Sequence, residues 1–370
     1  MSADMFASLG GDYVDPRVVI KAALPLELSG EAVRGRICVF TDEDGQEWAL
    51  RPDLTLPVAV DEVARRRGGD GGEKRVHYSA PVFRLPALPG EPVEFTQAGF
   101  ERFGAASDAA CDADVFGAIV AACADAGVSS GIVNVGDLTI FPAFVDAMDL
   151  PAETASGLKR AFRQQGGVRA FLKADRSGAA SGLSQRLHGM SRDDVGAFVG
   201  DIFALTGINP VGERTGDEIV ERLYERANSG GVEAVPAPKQ DLIEAVLNVD
   251  TGVADAAEQL TKIASGAGLS GLDPVLGRLA ERVDLMASKA PKLMGKARFS
   301  TRFGRRFTYY DGFVFEISAS QEESAEGRAF AAGGRYDRLL ADLSGGDVDA
   351  SAIGAIVVPH RLTRAKGGAA

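Results

Sequence analysis

The chain has 370 residues, 45% of them hydrophobic and 25% charged, a globular balance with room for one large domain or two modest ones. Acids outnumber bases 52 to 40 for a net charge of −12, which argues against a polyanion such as nucleic acid as the main partner. Three cysteines without CxxC spacing and three scattered histidines argue against a disulfide framework or a structural zinc site.

In chain order, residues 31–103 read as β-rich. Arg36–Thr41 and Gln46–Leu50 flank the turn DEDG, an acidic, glycine-ended hairpin signal. PVAVDEVARRR (57–67) follows, with apolar residues at 58, 59, 60, 63 and 64 that suit a short helix. Strand-like runs return at Arg75–Phe83 and Val93–Phe103. From 111 to about 290 the period becomes helical: Val115, Ile119 and Cys123 recur every four residues, with Gly127 as a stop. A strand is expected at Ile132–Val135. Val195, Phe198, Ile202 and Leu205 form one helical stripe, and Ile219, Leu223 and Ala227 another. Asp273-Pro274 predicts an N-cap with proline at the first helical position, ahead of a face of Val275, Leu279, Val283 and Met286. QQGG (164–167) and NSGGVEAVPAP (228–238) punctuate this zone. Short strands resume at Phe307–Tyr310, Phe313–Ile317, Ala329–Ala331 and Ile353–Val358. Strands before and after a helical block predict an α+β fold whose antiparallel sheet is interrupted by a helical insertion.

The N-terminus lacks a basic region followed by an apolar run, and no stretch approaches about 18 consecutive apolar residues. The expectation is a cytoplasmic protein with neither secretory signal nor membrane span.

Four segments carry polar chemistry. In RPDLT (51–55), Asp53 and Thr55 offer an acceptor and a hydroxyl, or alternatively cap the helix that follows. In VEFTQAGFERFG (93–104), strand alternation puts Gln97, Gly99 and Glu101 on one face, with Gln97 and Glu101 about 13 Å apart. Gly99 then leaves a gap in which a small zwitterion could lie, against the alternative of a solvated sheet face. GRRFTYYDGFVFEIS (304–318) combines Arg305 with Tyr309 and Tyr310, which on a strand would point to opposite faces. AAGGRYDRLL (331–340) places two glycines before an arginine but lacks the GxxxxGK[ST] phosphate loop. His77, His188 and His360 form neither an HExxH motif nor a Cys/His pair, so no metal site, cofactor or catalytic residue is predicted.

The order of these motifs is informative. LRPDLT, PVFR (81–84), EFTQAGFE (94–101), R-x-x-x-YY (305–310), GGRYD (333–337) and a terminal strand followed by Arg361-Leu362 together resemble the catalytic core of histidyl-tRNA synthetase. The resemblance covers about 20–141 and 270–362. It implies a class II aminoacyl-tRNA synthetase-like core, an antiparallel sheet flanked by helices with a helical insertion. The expected divisions are 1–141 and 270–370 for the core and 142–269 for the insertion, with no anticodon-binding domain.

Carried over residue by residue, the resemblance implies a histidine-like pocket. Asp53 and Thr55 match the acidic residue and threonine that contact histidine, and Arg84 the arginine of the second motif. Gln97 and Glu101 match the strand beneath the substrate, Arg305 the histidine-specific arginine, and Tyr309 and Tyr310 the imidazole-lining pair.

The departures point further. The loop after Arg84, LPALPGEPV, lacks the residues a synthetase uses for ATP and the tRNA acceptor end. Arg361 matches the third-motif arginine, but His360 stands where an acidic residue is usual. With GGDYVDP (10–16), the pattern is similar to the regulatory subunits of ATP phosphoribosyltransferase. That resemblance implies a non-catalytic chain required by a short-form catalytic subunit in the first step of histidine biosynthesis. It also implies feedback inhibition by histidine, self-association as a homodimer within a hetero-oligomer, and no tRNA partner. The rival expectation is an enzyme that still activates histidine with ATP.

Overall fold

The computed structural model describes residues 3–164, 166–173, 186–187, 189–206, 220, 223–224, 234–304 and 308–367. They divide into two compact units, Met1–Ala147 with Leu242–Ala370, and Met148–Asp241.

The described strands are β1 (Asp12–Tyr13), β2 (Val19–Lys21), β3 (Val39–Thr41), β4 (Glu47–Leu50), β5 (Lys74–Phe83), β6 (Glu94–Phe103), β7 (Ile132–Asp137), β8 (Asp250–Gly252), β9 (Arg298–Ser300), β10 (Phe313–Ser318), β11 (Ala331–Arg335) and β12 (Ala352–Val357). All belong to the larger unit. Nine form one sheet in the order β1-β5-β6-β12-β11-β10-β7-β9-β8. Every pairing from β5 across to β7 is antiparallel, and parallel pairing enters only at β1·β5 and β7·β9. The expected α+β architecture is therefore present, on a sheet that is mixed at its flanks.

Local chemistry explains the predicted elements. At the β3–β4 turn, Asp42 accepts hydrogen bonds from the Asp44 and Gln46 amides, and Gly45 takes φ +82°. Helix Thr55–Arg67 buries Leu56, Val58, Ala59 and Val63, while its buried Glu62 holds Arg65 and Arg66. Helix Ala109–Asp125 is capped by Asp108, which accepts from the Cys111 amide at 2.8 Å, and buries the predicted Val115, Ile119 and Cys123 stripe. Gly127 follows it at φ +90°.

Three expectations are corrected. Helix Asp273–Lys289 begins at Asp273 itself and has no side-chain cap, so Asp273 acts as a first-turn acid at the positive end of the helix dipole. The segment Thr308–Tyr310 is a turn and coil with no strand, and Phe307 lies outside the described residues. In helix Arg192–Thr206 the buried positions are Val195 and Val199, which pack with Leu187 and Val220, whereas Leu205 is 87% exposed. Of the second stripe, Leu223 packs against that cluster, while Ile219 and Ala227 lie outside the described residues.

The smaller unit spans Met148–Asp241. Residues past 241 join the larger unit because β8 pairs with β9 and helix Ala256–Gly266 packs against helix Asp273–Lys289.

A buried ion network ties together the two chain segments of the larger unit. Arg282 donates to Asp112 at 2.7 Å and to Asp137 at 2.6 Å; Arg335 donates to the other Asp112 oxygen at 2.8 Å. All four side chains are 5% exposed or less. Each charge has an opposite partner, which offsets the large cost of taking it out of water.

Candidate functional site

The RPDLT segment is set by Arg51, which is fully buried. Its guanidinium donates to the carbonyls of Pro81 and Pro16, fixing the turn against the β5 end and the N-terminal segment. Asp53 then caps the next helix, its Oδ1 accepting from the Leu56 amide at 2.9 Å. Of the two readings of this aspartate, the structure shows the cap. One oxygen caps, while the other, Oδ2, is buried with no hydrogen-bond partner among the described residues. Burial pushes the Asp53 carboxyl up, partly offset by the Leu56 amide and the Arg84 charge.

Asp53, Thr55, Arg84, Gln97, Tyr309 and Tyr310 line a single cavity, together with residues of β10, β11 and β12. Gln97 is 3% exposed, and its Oε1 is a second buried acceptor without a partner among the described residues. Arg84 donates from Nε to the Pro52 carbonyl at 2.6 Å, and its guanidinium lies 5.5 Å from the centre of the Phe95 ring. Arg361, also in the wall, lies 5.9 Å from that same centre. Glu91, in the loop after Arg84, accepts from Arg36 at 2.9 Å and stands 3.7 Å from Arg361. His360 packs edge-on against Phe95 at 5.8 Å, and burial with the neighbouring Arg361 pushes its pKa down.

Tyr309 and Tyr310 both face this cavity, in place of opposite sheet faces, because the backbone there turns where extension was expected. Their ring centres are 4.7 Å apart, and both rings pack on Tyr336.

Glu101 is not in the cavity wall. It lies beneath, 1% exposed, accepting hydrogen bonds from the Thr55 hydroxyl at 2.8 Å, the Tyr78 phenol at 2.6 Å and the Tyr336 phenol. Burial pushes its carboxyl up to about 7 despite the three hydroxyl donors. The gap expected at Gly99 is not open either. Tyr78 is its cross-strand partner, and a Cβ there would stand 2.9 Å from the Tyr78 ring and 2.6 Å from the Ala355 carbonyl oxygen. Gly354 on β12 makes room for Glu101, because a Cβ would fall 1.4 Å from its Oε2. Arg305 lies outside the described residues.

Sequence reasoning assigned no role to Tyr78, Tyr336, Phe95 or Gly354. Tyr336 stands inside the GGRYD motif, but its link to Glu101 spans 235 positions and follows only from the strand order. Chemically, the cavity offers two buried acceptors, Asp53 Oδ2 and Gln97 Oε1, the guanidinium groups of Arg84 and Arg361, and the tilted phenol pair of Tyr309 and Tyr310. Among the described residues no group of three His, Cys, Asp or Glu side chains gathers to hold a metal, and no helix is long and apolar enough to cross a membrane.

Comparison with known proteins sharpens this picture. Residues 2–191 match the histidyl-tRNA synthetase family model. An ATP phosphoribosyltransferase regulatory subunit of Mesorhizobium japonicum is 32% identical over 358 residues, covering 91% of this chain and 88% of the relative. One of Chelativorans sp. (strain BNC1) is 30% identical over 351 residues, covering 91% and 89%. Among solved structures, an ATP phosphoribosyltransferase regulatory subunit/histidyl-tRNA synthetase from Bacillus halodurans shares the fold at TM-score 0.61 and 19% identity, over 98% of this chain and 76% of that one. Matched over nine-tenths of its length, the chain belongs to the ATP phosphoribosyltransferase regulatory subunit family, built on a histidyl-tRNA synthetase-like core.

Proposed function

We propose that this chain is a non-catalytic regulatory subunit that activates a short-form ATP phosphoribosyltransferase catalytic chain in the cytoplasm and binds histidine in the cavity described above. In this reading it self-associates as a homodimer within a hetero-oligomer. Its core is interrupted by the helical insertion, and histidine acts as the feedback effector of the first step of histidine biosynthesis.

The observation that carries the pocket reading is the pair of unpartnered buried acceptors, Asp53 Oδ2 and Gln97 Oε1, in one cavity with Arg84 and Arg361. A buried acceptor without a donor costs about 1–3 kcal/mol, a cost that a ligand ammonium removes. Asp53 and Gln97 take the ammonium, Arg84 and Arg361 the carboxylate, and Tyr309 and Tyr310 flank the imidazole. Thr55, held by Glu101, positions the ammonium side, and Arg305 is assigned to the same pocket. A feedback effector requires different affinities in two assembly states, so the coupling matters more than tight binding.

Adding the chain to a purified short catalytic subunit is expected to raise phosphoribosyl transfer from phosphoribosyl pyrophosphate to ATP, and histidine to lower it again. No rise at stoichiometric excess would refute the regulatory role. One observation favours the rival reading, an enzyme that activates histidine: Arg84 and Arg361 still converge on Phe95 in the cavity wall. Histidine-dependent exchange of pyrophosphate with ATP would establish that reading, and its absence would remove it.

A further inference from the structure

Asp53 and Glu101 are both buried, 3% and 1% exposed, and are linked through the helix start: Asp53 lies two positions before Thr55, whose hydroxyl donates to Glu101. The groups that face Glu101 come from every element around it. The helix start supplies Thr55 and Asp53, β5 supplies Tyr78, the segment after β11 supplies Tyr336, and the 309–310 turn supplies two further phenols. β12 contributes only Gly354, with no side chain. All the donors to Glu101 are neutral hydroxyls. Arg84 acts on Asp53, whereas the hydrogen-bond donors to Glu101 among the described residues carry no charge. Ionising both buried carboxylates at once is therefore unfavourable unless a proton or a ligand cation balances them.

We propose that the empty cavity retains one exchangeable proton on the Asp53–Glu101 pair, and that a ligand ammonium entering beside Asp53 Oδ2 displaces it to solvent. Amino-acid uptake is thereby coupled to proton release. One O–H bond breaks, the proton passes to the buffer, and the ammonium keeps its own protons and takes the lost proton's place beside the carboxylates, while the ligand carboxylate is carried by Arg84 and Arg361. This rests on the reading of the cavity as an amino-acid site and adds a pH dependence to it.

With the Glu101 carboxyl at about 7, affinity falls about tenfold from pH 8 to pH 6, because at pH 6 nearly every empty site must first lose its proton. Two measurements test this. Calorimetry of histidine binding in phosphate and in Tris at pH 7 should differ by the ionisation heat of about half a proton per ligand, and should not differ for Glu101→Gln. Triazolylalanine, a histidine analogue whose ring takes up no proton in this range, separates Glu101 from the ligand's own imidazole. In the empty wild-type protein, the near-ultraviolet absorbance of the tyrosines should titrate between pH 6 and 8 as Tyr78 and Tyr336 respond to the carboxyl. Binding heats that do not depend on the buffer, or a flat tyrosine spectrum in the wild type, would overturn the proposal. A titrating spectrum without any ligand heat would refute the amino-acid reading of the cavity, and displacement with it.

Discussion

Replacing Glu101 by glutamine removes an ionisable group but keeps its size, so its effect on stability should depend on pH in one direction. The native state holds the Glu101 proton up to about pH 7 against an ordinary 4.5. Shifting the carboxyl that far is worth about 3 kcal/mol at about 1.4 kcal/mol per pH unit. Because the folded-state value is raised, the contribution is fully present below pH 4.5 and is lost as pH rises through 7. The stability of the wild type relative to Glu101→Gln should therefore fall by about 3 kcal/mol between pH 4.5 and pH 8. The Asp53 carboxyl is raised in the same direction in both proteins, so only the change in its shift on losing the Glu101 charge enters the difference. Urea unfolding at several pH values, followed by the fluorescence of Trp48, reads this directly. Trp48 is the single tryptophan and sits on β4 of the larger unit. A difference that stays constant from pH 5 to 8, or that grows with pH, would refute the account of Glu101 as a desolvated acid beneath the cavity.

Three further outcomes follow from the same contacts. Tyr336→Phe removes the strongest of the hydroxyl donors to Glu101, so the carboxyl should titrate at a higher pH and the stability loss of the wild type should move upward with it; an unchanged midpoint in the same unfolding series would contradict this. Gly354→Ala places a methyl where Glu101 Oε2 now lies, and should cost about 2–4 kcal/mol in thermal unfolding. In a double-mutant cycle with Glu101→Ala the costs should fall well short of adding, and strict additivity would show that the two positions do not touch. Arg282→Met leaves Asp137 without a guanidinium and Asp112 with Arg335 alone, for an expected loss of about 3–5 kcal/mol by denaturant unfolding. A loss of less than about 1 kcal/mol would mean that Arg335 alone balances the network.

Much of this was legible in the sequence where the signal is local. The Asp42 hairpin, helix Thr55–Arg67 and the Val115–Ile119–Cys123 face depend on residues a few positions apart, and periodicity finds them. The order of the motifs also brought Asp53, Thr55, Arg84, Gln97, Tyr309 and Tyr310 into one cavity. What the sequence left hidden depends on register. Gly99 reads as an open gap until β5 is paired against β6, whereupon Tyr78 covers it. Glu101 reads as a ligand contact until β12 and the segment after β11 are placed, whereupon its oxygens are taken by Thr55, Tyr78 and Tyr336. The tyrosine pair was assigned to opposite faces because alternation presumes an extended chain, and the backbone turns there instead.

The central claim is that this chain itself holds an amino-acid site centred on Asp53, and equilibrium dialysis of labelled histidine against the chain alone tests it most directly. The expected result is one histidine bound per chain, with affinity reduced by about tenfold to a hundredfold in Asp53→Asn, where the amide can still cap Leu56 but carries no charge for the ammonium. No bound histidine, or equal binding by Asp53→Asn, would contradict it.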